Sequence, residues 1–181
     1  MKVKKILILI AIAIMLLASS VNATEPEITA TSAVVIDCID GKILYSKNMD
    51  EKLYPASLTN VLTAILVVEN CNMEDEVTIS QSAIDNVQSG YLTANIKPGE
   101  ILTVEQLLNL LLISSYNDVA NALAEHVAGN VEEFANMMNK KAKEIGCTNS
   151  NFVNSSGAHS EEHYSTAHDM ALIAKYAMQY D

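Results

Sequence analysis

Residues 54–70 read YPASLTNVLTAILVVEN, and their reading decides the rest. Pro55 and Ala56 lead into Ser57, and neither proline nor glycine interrupts the apolar run that follows to Asn70. The spacing predicts a long buried helix with Ser57 at its mouth. There the first backbone N–H groups point outward, and the helix dipole favours developing negative charge. That is a suitable place for the nucleophile of an acyl transfer. One turn further along the same face stands Asn60. A serine hydroxyl becomes a good nucleophile only when a neighbouring base takes its proton, and an amide cannot do so. The stretch therefore combines a nucleophile's position with the wrong residue type at the position of its base.

Outward from this helix, the chain of 181 residues has the length of one domain. Its first residues stand apart. Lys2, Lys4 and Lys5 precede an apolar run over residues 6–18, and Val21-Asn22-Ala23 supplies a small-x-small cleavage pattern. A membrane-spanning helix needs about 20 apolar residues, so this run predicts a cleaved secretory signal peptide over residues 1–23. Membrane attachment would then arise only through an uncleaved signal. Removing residues 1–23 takes away three of eleven lysines and no acids, moving the net charge from −11 to −14. There is no arginine. So acidic a surface is a poor partner for nucleic acid or an anionic membrane. Cys38, Cys71 and Cys147 form no CxxC or Cys/His metal pattern and are expected as small buried hydrophobes, with one disulfide plus a free thiol as the alternative.

Upstream of the helix, residues 33–45 (AVVIDCIDGKILY) place two apolar runs around Asp40-Gly41, a hairpin signal. Downstream, Ser80 is expected to cap a short helix to Val87. Thr103 with Gln106 forms a capping box, ahead of a leucine-rich helix expected in the core. Residues 118–128 form a helix stopped by Gly129, and residues 131–145 form another closed by Gly146. Residues 149–164 read as a polar loop, and Ser165 is expected to cap a last helix over residues 166–179. His159, His163 and His168 fit no helical ligand pair and are expected at the surface or at caps.

Ser57-Leu58-Thr59-Asn60 stands where the penicillin-recognising serine enzymes carry Ser-x-x-Lys. The surrounding Pro55-Ala56-Ser57-x-Thr59 resembles the D-alanyl-D-alanine carboxypeptidases of serine peptidase family S11. Ser115-Tyr116-Asn117 resembles the family's second motif, Ser-x-Asn, and lies between a leucine-rich helix and a second apolar one. Alone, that tripeptide is weak evidence and between two helices is more often a capping turn. Residues 95–105, 152–157 and 163–170 resemble structural stretches of the same family, so the similarity runs from about residue 32 to 180.

The resemblance implies an α/β (α+β), β-lactamase/transpeptidase-like fold, with an N-terminal hairpin, a helical region and later sheet strands. Residues 24–181 would form its N-terminal portion, without those later strands. An exposed sheet edge and an open cleft at Ser57 are expected. Ser57 would be the acyl-ester nucleophile, and Asn60 the position of the general-base lysine. Ser115 would be a proton relay and Asn117 a substrate contact. No cofactor or metal is implied. The implied partners are peptidoglycan stem peptides ending in D-Ala-D-Ala, with β-lactam antibiotics where the site is active, in the extracellular or periplasmic cell-wall space. The family's third motif, Lys-Thr-Gly, does not occur before Asp181, and Lys42, Lys47 and Lys52 lie upstream of the base position. Two outcomes stay open: an impaired serine carboxypeptidase, or a catalytically inactive peptidoglycan-binding or truncated homologue. A class A β-lactamase is a weaker third, since no deacylating glutamate loop is visible.

Overall fold

A computed structural model of the chain describes residues 26–180. The expected signal peptide lies outside the described residues. Everything discussed below belongs to the unit that starts at Thr31.

The hairpin forms as its turn signal predicts. β1 (Ala33–Ile36) pairs antiparallel with β2 (Ile43–Lys47), Val35 facing Tyr45, with a register shift before Ile36. The connection is longer than a two-residue turn. Asp37 folds it by accepting the Ile39 N–H at 2.7 Å, and Gly41 takes φ +77°. Among the described residues this sheet has two strands, and Val35 and Leu44 are exposed on it, as an open edge requires.

Ser57 lies in a 3₁₀ turn (Ala56–Leu58), from which α1 (Thr59–Asn70) continues; the α-helix proper thus begins two residues beyond Ser57. Leu62, Ile65, Leu66 and Val67 are buried, and α1 joins two apolar clusters. One cluster packs α1 against α3 (Val104–Ser114) and α4 (Asn117–Ala128). The other packs it against α5 (Val131–Ile145) and α6 (Ala167–Ala177).

Local signals place most helix ends. Ser80 Oγ accepts the Ala83 N–H and starts α2 (Gln81–Asp85), which stops short of Val87. Thr103 and Gln106 complete both bonds of the capping box. Gly129 and Gly146 close α4 and α5 at φ +84° and +106°. At α6 the cap is Thr166 rather than Ser165, because the Thr166 hydroxyl accepts the Asp169 N–H.

Three expectations need correction. A second two-stranded sheet pairs β3 (Glu76–Thr78) with β4 (Ile101–Thr103), Val77 facing Leu102. Helix α3 buries one face only: Val104, Leu107, Leu108 and Leu111 point inward, while Leu112 and Ile113 are exposed. Its leucine run reads as all-round burial, but the neighbours cover a single stripe. The cysteines are all free, yet only Cys147 is buried; Cys71 is half-buried and Cys38 exposed. Burial and the nearby Asp169 carboxylate push the Cys147 thiol up to about 12.

Candidate active site

The turn carrying Ser57 is shaped from both sides. Before it, Leu53 exchanges backbone hydrogen bonds with Ser165 at 2.9 Å each way. Ala56 then adopts φ +48°, a conformation L-residues seldom take without tertiary support. That support is Gly157 (φ +81°): a Cβ there would overlap the Ala56 carbonyl and come within 2.8 Å of Thr59 Oγ1. Only glycine combines that backbone shape with so close an approach. The polar loop is rigidly built around it. Asn154 Oδ1 accepts the Gly157 N–H at 2.7 Å, while Asn139 holds both the N–H and the carbonyl of Phe152.

His163 corrects the surface reading. It is buried, with an edge-on contact to Phe152 and a 2.9 Å hydrogen bond between Nε2 and Thr59 Oγ1. Its Nδ1 accepts the Val153 N–H at 3.2 Å, so the ring proton sits on Nε2 and is donated to Thr59. Burial disfavours the imidazolium and lowers the pKa to about 4. Loop, histidine and threonine together fix the start of α1. Thr63 adds a second tie, donating to the Ser155 carbonyl at 2.6 Å.

Ser57 is exposed at the N-terminal end of this helix. One turn on, Asn60 is 4 % exposed. Its Nδ2 donates to Ser115 Oγ at 3.3 Å, bringing the first and second motif positions together from 55 residues apart. Asn60 Oδ1 has no partner, and among the described residues it is the one buried side-chain polar atom left so. Rotating the amide by half a turn would offer Oδ1 to the Ser115 hydroxyl but orphan the NH₂ group instead. An amide fills this position badly. A single cationic donor group would suit the Ser115 oxygen without leaving an orphaned acceptor.

Ser115, at the second motif position, is also a helix cap. It ends α3 in the left-handed region (φ +56°, ψ +41°), its N–H bonded to Leu111 O. Asn117 opens α4, and both its backbone N–H and its Nδ2 bind the Leu92 carbonyl, at 2.9 and 3.1 Å. That donor is committed to holding the residue 86–95 segment. Asn117 also lines a cleft of about 530 Å³ beneath the polar loop, which Ser57, Asn60 and Ser115 do not reach. Lys52, upstream of the base position, rests over the Tyr164 ring at 4.2 Å.

Sequence reasoning missed the Thr59–His163 pair and the role of Gly157. Neither has a local signature: a glycine after Asn-Ser-Ser reads as any turn, and a lone histidine as surface. What the geometry brings together is an exposed serine at a helix mouth and, one turn on, an amide bonded to a second serine from an adjacent helix junction. A family profile described as D-alanyl-D-alanine carboxypeptidase (peptidase S11) matches residues 19–181, and the chain belongs to that family. It is 39% identical to D-alanyl-D-alanine carboxypeptidase DacF of Bacillus subtilis, over 98% of this chain and 49% of the relative. With DacC of Escherichia coli the identity is 35%, over 87% and 42%. The solved DacD carboxypeptidase of Francisella tularensis superposes with a TM-score of 0.82 at 34% identity, covering 92% of this chain and 41% of that one. The chain spans about half the length, or less, of these curated relatives.

Proposed function

We propose that this chain carries the nucleophile half of a serine D-Ala-D-Ala carboxypeptidase site, impaired at its base. In this reading, Ser57 Oγ attacks the carbonyl of the penultimate D-alanine of a peptidoglycan stem peptide. The terminal D-alanine departs, and water later hydrolyses the acyl-enzyme. The hydroxyl proton has to leave as the new C–O bond forms, and Ser115 alone cannot hold it at neutral pH. A positioned base contributes about 10²–10⁴-fold, and Asn60 cannot supply that. The observation that carries the reading is the Asn60 amide in the base position, bonded to Ser115 and left with an orphaned oxygen. Acting on stem peptides places the protein in the extracellular or periplasmic wall space, in keeping with the predicted leader.

Labelling with a fluorescent penicillin tests this. We expect little Ser57-dependent label with Asn60 and a gain of about 10²-fold or more in Asn60→Lys, abolished by Ser57→Ala. Equal labelling of the native chain and Asn60→Lys would remove the impairment, and labelling that survives Ser57→Ala would remove the nucleophile. The same orphaned amide favours a second reading, a non-catalytic peptidoglycan binder. It predicts retention of muropeptides without cleavage, unchanged by Ser57→Ala.

A further inference from the structure

Helices α1 and α4 bring the motif residues together at their N-terminal ends, and their opposite ends also meet. Cys71 is the residue after α1, His126 lies in the last turn of α4, and Asp75 sits in the connection between α1 and β3. The Cys71 Sγ, one Asp75 carboxylate oxygen and one His126 ring nitrogen all lie within 4.8 Å of one another. Cys71 and Asp75 share one short connection, and His126 joins them from the end of another helix, so no sequence spacing announces the full set.

We infer that Cys71, Asp75 and His126 form a binding site for one zinc-class divalent cation, with water completing a four-coordinate shell. The donor set decides the class. One thiolate, one imidazole and one carboxylate suit zinc, whereas magnesium and calcium prefer oxygen alone. The carboxylate is pre-oriented, since Asp75 Oδ2 accepts the Asn72 N–H at 2.8 Å and the Asn72 side chain lies 3.3 Å from Oδ1. Cys71 is held by its own N–H, donated to Val67 O at 2.9 Å. The C-terminal ends of two helices converge here, and each carries partial negative charge that favours a cation. Cys71 is half-buried against the apolar cluster and His126 is exposed, which leaves an entry path from solvent. On binding, the Cys71 S–H bond breaks, its proton passes to solvent, and the sulfur's electron pair forms the metal bond. Bound metal would staple α1 to α4 about 18 Å from Ser57, the length of α1 at 1.5 Å per residue. The site is therefore structural, and Ser57 chemistry should not depend on it.

The test is a Co²⁺ titration of the full chain under reducing conditions, in a Cys38→Ser background to remove the exposed thiol. We expect a thiolate-to-cobalt charge-transfer band that saturates at one ion per chain and is displaced by Zn²⁺, with Zn²⁺ also raising Tm. Cys71→Ala should abolish the band. Asp75→Asn and the exposed His126→Ala should weaken binding by about tenfold or more while leaving the circular dichroism spectrum unchanged. A folded chain without the band, a band that survives Cys71→Ala, or unchanged affinity in both His126→Ala and Asp75→Asn would overturn the inference.

Discussion

Asp169 and Asn60 are both buried polar side chains in the first turn of a helix, and the protein treats them differently. Asp169, in α6, accepts the Asn149 N–H at 2.8 Å and the Ser150 hydroxyl at 2.7 Å, and its own N–H is held by Thr166. Every group around it is satisfied, and it ties the start of the polar loop to a helix. Asn60, in α1, makes one hydrogen bond of 3.3 Å and leaves an oxygen with none. Buried polar groups that serve only the fold are completed, because an orphan costs about 1–3 kcal/mol. An incomplete one marks a position whose surroundings suit a different residue. The contrast separates scaffold from inherited chemistry.

The largest test of that contrast is Asp169→Ala. It strands the Asn149 N–H and the Ser150 hydroxyl, so we expect a loss of about 3 kcal/mol in chemical denaturation. A loss under about 1 kcal/mol would show that the network is not what holds the loop.

Next is His163, which links the loop to the start of α1. Its pKa falls from 6.5 when unfolded to about 4 in the fold. Above pH 6.5 both states hold the neutral ring and stability is unaffected. As pH falls from 6.5 towards 4, the unfolded chain takes up a proton that the native ring refuses, and stability is lost. The full effect is up to about 3 kcal/mol. Denaturation of the native chain and His163→Gln across that interval should diverge, with the variant lacking the extra slope. Parallel curves would mean that the buried ring takes its proton without disturbing the Thr59 bond.

The smallest effect is expected at Asn60→Leu. Replacing a half-satisfied amide with an apolar group of similar size should change stability by less than about 1 kcal/mol, and towards greater stability. A loss as large as that at Asp169 would make Asn60 part of the scaffold and break the comparison.

What was legible in the sequence was local. Thr103 with Gln106, Gly129 and Gly146 announce helix ends because capping chemistry lies within a few residues. Ser57, Asn60 and Ser115 were found through motif resemblance, and the Asn60–Ser115 contact joins the two motifs in space. The rest was not legible because it is made by distant partners. The β3 and β4 strands are three residues each and pair across more than twenty residues. Thr59 meets His163 from 104 residues away. The exposure of Ile113 depends on what covers α3, which its own leucines do not say.

The fit of Gly157 beneath the Ala56 carbonyl also bears on the order of assembly. Ribosomal synthesis delivers Ser57, α1 and everything through α5 before Gly157 exists, so the turn around Ser57 cannot take its shape while those elements fold. Closing so long a loop is slow compared with forming the helices inside it. The turn around Ser57 therefore takes its shape only after the helices between Ser57 and Gly157 exist, when the loop carrying Gly157 docks against a turn made more than 100 residues earlier.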